Sequence, residues 1–272
     1  MRIDAHQHFW DYNSERYGWI EDKAIQKDFA PEDLKPLLDL HGFDGCIAVQ
    51  ADQSEEETRF LLNLAAEHNF IKGVVGWLDL SAENIEEKLA QYAKNKSFKG
   101  LRYTVYDEWG EFMVDRRFQN GISKLSKFGL VYEILVFPYQ LKGAIELVNR
   151  FPEQRFVLNH MGKPEIFENA SEDWKEGIRS LAQNKNVYCK ISGLLSAAGK
   201  REWGLQDFYP FLDFVFENFS EDKIIFGSDW PVSLSGGSYA QAVDVIENYL
   251  SAQDENLLRK VFGENAKKFY RL

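Results

Sequence analysis

The stretch Ile3-Asp4-Ala5-His6-Gln7-His8-Phe9-Trp10 decides the fold. It begins as a short β-type run and ends in two histidines and two aromatic rings. An open, doubly wound sheet wants a glycine-rich phosphate loop after its first strand. His6-Gln7-His8-Phe9-Trp10 cannot form one. Working outward, seven similar apolar runs follow: Asp44–Gln50, Ile71–Leu78, Phe98–Tyr103, Leu130–Val136, Arg155–His160, Val187–Ile191 and Lys223–Gly227. Each is short and rich in Val, Ile, Phe or Tyr, which favours strands. Helical patterns lie between them. Ser54-Glu55-Glu56-Glu57 reads as a capping box before Phe60, Leu61, Leu64 and Ala65. Glu83–Lys94, Arg117–Phe128, Gln140–Phe151, Glu172–Gln183 and Leu205–Phe219 continue the alternation, and Tyr239–Leu250 and Glu255–Tyr270 close it. Strands alternating with helices over 272 residues predict an α/β protein, a (β/α)8 barrel forming a single domain over 1–272.

Composition narrows the function. With 44% hydrophobic and 15% aromatic residues the chain can fill a large core. A net charge of −11 repels phosphate backbones, so nucleic acid is not an expected partner. No apolar run reaches the roughly 18 residues that a membrane helix needs. Cys46 and Cys189 sit in strand-like runs and read as buried, reduced thiols. The opening residues hold no apolar leader core, and a leader's removal would destroy the His6-Gln7-His8 motif. A cytoplasmic protein is expected.

A barrel of this kind carries its chemistry at the C-terminal ends of its strands. Strict alternation puts Asp4, His6 and His8 on one face. Two imidazoles pointing inward suit a divalent metal or a polarised carbonyl; two hydrogen-bonded histidines beside a loop are the bland alternative. Strand six ends at Asn159-His160-Met161-Gly162-Lys163-Pro164. Lys190 lies within an apolar run, either snorkelling outward or held by a carboxylate or substrate. Asp229 ends the eighth strand, where a carboxylate is costly unless bonded, capping or functional. Arg102 ends the fourth and suits a carboxylate, a carbonyl oxygen, or Asp229 itself. Trp10, Trp77 and Trp230 are candidates to line or roof the same pocket, because indole packs on the C–H faces of a sugar ring.

Asp4-Ala5-His6-Gln7-His8-Phe9-Trp10, Asn159-His160-Met161-Gly162-Lys163-Pro164, Cys189-Lys190-Ile191-Ser192-Gly193 and Gly227-Ser228-Asp229-Trp230-Pro231 together resemble the amidohydrolase superfamily. The likeness is closest to the amidohydrolase-related branch of L-fuconolactonase-like and L-rhamnono-lactonase-like enzymes, and it covers the whole chain. It implies paired first-strand histidines at His6 and His8, a sixth-strand histidine at His160, and Asp229 as the base that activates water. Lys190 and Arg102 match positions that bind or polarise substrate. Departures matter too. Arg102 stands where binuclear relatives carry a metal-bridging residue, and strand five has no histidine, though Glu133 could substitute. Tyr103 stands where relatives often have histidine.

The implied activity is hydrolysis of a sugar (aldono-) lactone to the aldonic acid. Asp229, His160 and Lys190 are the expected catalytic residues. At most one divalent ion, zinc by preference, is expected on His6, His8, His160 and Asp229, with metal-free catalysis as the alternative. The rivals are a metal-dependent decarboxylase of a small carboxylic acid and a non-catalytic sugar-acid-binding barrel.

Overall fold

The computed structural model describes residues 1–104, 111–251 and 254–272. Eight parallel strands follow one another round a single sheet in chain order. They are β1 (Ile3–Gln7), β2 (Gly45–Val49), β3 (Ile71–Gly76), β4 (Phe98–Thr104), β5 (Val131–Leu135), β6 (Phe156–Leu158), β7 (Val187–Ile191) and β8 (Ile224–Phe226). The last strand returns to the first: Asp229 N donates to His6 O at 2.8 Å and His8 N to Trp230 O at 2.7 Å. The sheet therefore closes as a (β/α)8 barrel. Gly227 permits the seam, because a Cβ there would stand 2.4 Å from that of His6.

Two apolar layers hold the barrel. Ile3, Ala5, Ile47, Val49, Val75, Val131, Val157 and Ile225 fill its interior. Leu101, Tyr132, Leu158, Cys189 and Phe226 face outward against the helices. The covering helices include α1 (Pro31–Leu40), α2 (Glu55–Glu67), α3 (Ile85–Tyr92), α4 (Arg116–Leu125), α5 (Leu141–Arg150), α6 (Glu172–Ala182), α7 (Leu194–Ala198), α8 (Leu205–Asn218) and α9 (Tyr239–Leu250). The periodicity did not indicate α1 or α7. In α1, Pro31 occupies the first turn and Pro36 sits inside the helix. Burial of Leu34 and Leu38 outweighs the hydrogen bond that Pro36 removes.

The predicted final helix is three pieces: α10 (Glu255–Arg259), a π-helical turn over Lys260–Glu264, and α11 (Asn265–Tyr270). The turn lets Gly263 press against the backbone of Met1, where a Cβ would come within 1.9 Å of the carbonyl oxygen. Ala266, Phe269 and Tyr270 of this terminal segment then pack into the interior cluster.

The Ser54 cap forms, accepting from Glu57 N. The reciprocal half does not. Glu57 is buried and instead accepts from Ala51 N at 2.9 Å and Tyr17 Oη at 2.7 Å. Its carboxylate thus pins the segment after β1 to the end of β2, at the mouth of the barrel.

Candidate active site

Strict alternation fails in β1. Asp4 pairs with Cys46 and Gln7 with Ala48, so three steps on β1 meet two on β2. This extra residue is a bulge, which leaves two successive side chains on one face. Ile3 and Ala5 point inward, and His6 and His8 also reach the interior. Asp4 does not share their face, contrary to expectation. It accepts from Ser228 N at 2.9 Å, Ser228 Oγ at 2.6 Å and Tyr239 Oη at 3.2 Å, bracing β8 and α9.

Asp229 and His160 reach the site through unusual backbone. Asp229 has φ +60°, and the four residues His160, Met161, Gly162 and Lys163 have φ of +53°, +53°, +71° and +52°. A left-handed conformation costs a non-glycine residue roughly 1–2 kcal/mol. The turn explains why β6 ends at Leu158 rather than His160. Trp174 Nε1 supports it by donating to Met161 O at 2.6 Å. Gly193, also left-handed, leaves room for the imidazole, since its Cβ would lie 2.6 Å from His160 Nδ1.

Three imidazoles converge on one carboxylate oxygen. His8, His6 and His160 place Nε2 at 3.4, 3.7 and 3.8 Å from Asp229 Oδ1. The other oxygen, Oδ2, accepts from Ser196 Oγ at 2.6 Å. His8 donates from Nδ1 to Val49 O at 2.8 Å, so its Nε2 lone pair faces inward. His160 Nδ1 lies 2.9 Å from Ser192 Oγ. All four side chains are buried.

Burial sets the charge states. It pushes His160 down to about 3, and His8 and His6 also fall below the ordinary histidine value. Lys190 and then His160 depress His6 further. Burial alone would raise Asp229, but the nearby His160 and His8 rings and the Ser196 hydrogen bond hold it well below the usual carboxylate range. At neutral pH the centre is thus one carboxylate among three neutral imidazoles.

Arg102 and Lys190 approach His6 from opposite sides. Arg102 Nη1 lies 3.2 Å from His6 Nε2, and Nη2 donates to Gln50 O. Lys190 Nζ lies 3.2 Å from His6 Nδ1 and donates to both oxygens of Glu133 at 2.7 Å. Tyr270 Oη donates to Glu133 from below. Burial brings Lys190 down to about 8, although Glu133 opposes the fall. Lys190 is therefore inward and held by a carboxylate, not snorkelling. Its ammonium is fully buried between His6 and Glu133 and does not form part of the cavity wall described below. Glu133 is likewise committed to Lys190 and Tyr270, not to a metal.

A cavity of about 780 Å³ opens over this centre, and His8, Arg102, His160 and Asp229 form part of its wall. The described lining does not include Trp10, Trp77 or Trp230, so the expectation that they roof it is corrected. Trp10 is wholly buried and donates to Lys27 O at 2.8 Å, and Trp230 packs edge-on against Phe29 at 5.2 Å. Trp77 leans on Tyr103 at 5.4 Å. Tyr103 itself faces the helices. Its hydroxyl accepts from Leu80 N at 2.7 Å and donates to Leu78 O at 2.9 Å, so it braces the loop after β3. Among the described residues, the Trp, Tyr and Phe rings that reach the cavity are Trp19, Phe137, Tyr139 and Trp174. Sequence reasoning missed these, along with Ser192, Ser196 and Lys163. Ser192 and Lys163 carried a legible signal, because each follows closely on a strand-end histidine or lysine in a quoted motif.

The donor set can hold one metal ion. Atoms of His6, His160 and Asp229 lie within 4.8 Å of one another, all buried, and they form the one such group among the described residues. Neutral imidazoles and a carboxylate are suitable zinc ligands. His8 falls outside that group, although its Nε2 meets the same Asp229 oxygen. Arg102 competes for the His6 Nε2 lone pair.

The family model for amidohydrolases matches residues 3–272. The chain belongs to the amidohydrolase family. This amidohydrolase is 34% identical over 282 residues to an L-fucono-1,5-lactonase of Burkholderia ambifaria, covering 100% of this chain and 96% of that protein. It is 35% identical over 289 residues to an L-fucono-1,5-lactonase of Burkholderia multivorans, again covering 100% and 96%. A Burkholderia multivorans amidohydrolase crystallised with bound zinc superposes with a TM-score of 0.95 at 34% identity, over 100% of this chain and 99% of the other.

Proposed function

We propose that this amidohydrolase opens a sugar 1,5-lactone to its aldonic acid, with L-fucono-1,5-lactone as the first substrate to try. The observation that carries the chemistry is the buried Asp229 carboxylate, facing a cavity with three imidazoles round one of its oxygens. The full-length likeness to two L-fucono-1,5-lactonases supports the substrate class.

In this reading Asp229 Oδ1 accepts a proton from water as the water oxygen bonds to the lactone carbonyl carbon. Ser196 holds Oδ2, so the carboxylate presents Oδ1. The developing oxyanion is met by Arg102, whose permanent charge needs no proton transfer. His160 and His8 orient the water and the carbonyl. The carbon–oxygen bond to the ring then breaks, and the proton on Asp229 passes to the departing ring alkoxide. Aldonic acid results and the carboxylate is restored. A low pKa makes Asp229 a weak base in isolation but keeps it ionised and ready at every turnover. Lys190 and Glu133 hold His6 from beneath. A divalent ion held by His6, His160 and Asp229 would supply a Lewis acid.

Acid release from a panel of aldonolactones, read with a pH indicator, tests the proposal. Rapid opening of L-fucono-1,5-lactone without release of CO2 is the expected result. Absence of acid release from the whole panel, with or without added zinc, refutes it.

A further inference from the structure

The left-handed turn over residues 160–163 does more than place His160. Lys163 N donates to His160 O at 2.8 Å, closing the turn and putting both side chains in the wall of one cavity. Lys163 is partly buried, yet no carboxylate among the described residues lies within ion-pair distance of its ammonium group, and no hydrogen bond of that group is found. Nζ stands over the ring of Phe137, 4.6 Å from its centroid. Phe137 and Tyr139 are parallel, with ring centroids 5.7 Å apart, and stand at the same wall. Burial lowers Lys163, with Asp229 opposing and Arg102 adding to the fall, so its charge is felt at the reacting centre without being bonded there.

An ammonium group in a cavity wall, bonded to no carboxylate among the described residues, keeps its donors available to whatever enters the cavity. Backbone strain kept at three non-glycine positions to present it points the same way. Lys190 contrasts sharply, with both oxygens of Glu133 committed to it.

We propose that Lys163 is a specificity-determining residue that donates to a ring hydroxyl of the bound lactone, with the Phe137 face packing the adjoining C–H surface. The hydroxyl is remote from the scissile carbonyl, because Arg102, His160 and Asp229 already surround that end. This rests on the lactonase reading above. A sugar hydroxyl suits the site better than a second carboxylate would, since Asp229 already lies within electrostatic reach.

The test is steady-state kinetics of Lys163→Met, which keeps the stem and the Cβ and removes the donors. For a fully hydroxylated lactone we expect KM to rise about 10-fold or more with kcat nearly unchanged, the signature of lost uniform binding. Matching melting curves exclude unfolding. A series of lactones each lacking one ring hydroxyl then locates the contact: one member should give wild type and variant the same KM. Lys163→Arg should recover part of the loss. An unchanged KM for Lys163→Met, a fall in kcat alone, or an equal penalty for every deoxy lactone overturns the inference while leaving an active wild type as a lactonase. A wild type that opens no lactone overturns the underlying reading, and this inference with it.

Discussion

Two buried polar clusters lie one above the other in this barrel and use their charges differently. The lower one joins Lys190, Glu133 and Tyr270, and every polar atom at its heart has a protein partner. The upper one centres on Asp229 and faces a cavity. Its Oδ2 is held by Ser196, while Oδ1 meets only neutral imidazoles at 3.4 Å or more. A saturated network braces a fold. A carboxylate oxygen left with weak partners beside open space is available to a substrate. Both clusters touch His6, one at each nitrogen. The same ring is thus an anchor on one side and part of the chemistry on the other.

If the lower cluster is a brace, removing one partner should cost stability first. Glu133→Leu leaves the Lys190 ammonium buried and unpaired, and a loss of about 3–5 kcal/mol is expected from denaturant unfolding. The double variant Glu133→Leu with Lys190→Met should recover most of that loss, since an apolar pair can replace a buried ion pair. A double variant that is stable but shows no turnover would show that Lys190 takes part in the chemistry itself.

The upper cluster should respond the other way. Asp229→Asn keeps the shape and removes the basicity. Turnover of the lactone should fall by at least ~100-fold, the lower range for loss of a general base. Circular dichroism and melting should stay near wild type. Retention of more than about a tenth of wild-type turnover, a smaller loss than that range, would move the base to another residue, with His160 next in line.

Two smaller effects sharpen the contrast. Ser196→Ala removes the partner of Oδ2 and frees the carboxylate to rotate. A loss of about 1.5–3 kcal/mol of transition-state stabilisation is expected, typical of a hydrogen bond to a charged group, and read as kcat/KM. A melting temperature that drops while kcat/KM holds would make Ser196 a brace. Tyr103→Phe should do the reverse of Ser196→Ala. It removes the bonds to Leu78 O and Leu80 N, so unfolding free energy should fall by about 1 kcal/mol. KM should not move. A changed KM would place Tyr103 at the substrate site.

The barrel was legible in the sequence because apolar runs and helical periods are local signals. The strand-end positions of His6, His8, Arg102, His160 and Asp229 followed from the same segmentation, and the quoted motifs tied them to the family. Side-chain direction was less secure. Alternation assigned Asp4 to the face of His6, but a bulge is a property of two paired strands and cannot be seen in one. Nor can the left-handed turn at His160, Met161, Gly162 and Lys163, where only Gly162 advertises positive φ. Lys190 showed the same limit. Its place in an apolar run established that the charge was costly, yet the partner lies on another strand, 57 residues away. The tryptophans misled for a related reason: a ring at a strand end is chemically equal to packing and to recognition until its neighbours are known. What the sequence by itself determined was therefore the period of the elements and the kinds of side chain at their ends. Which of those side chains are satisfied, and which face open space, the tertiary structure decided, because the balance of a buried charge depends on contacts between segments far apart in the chain.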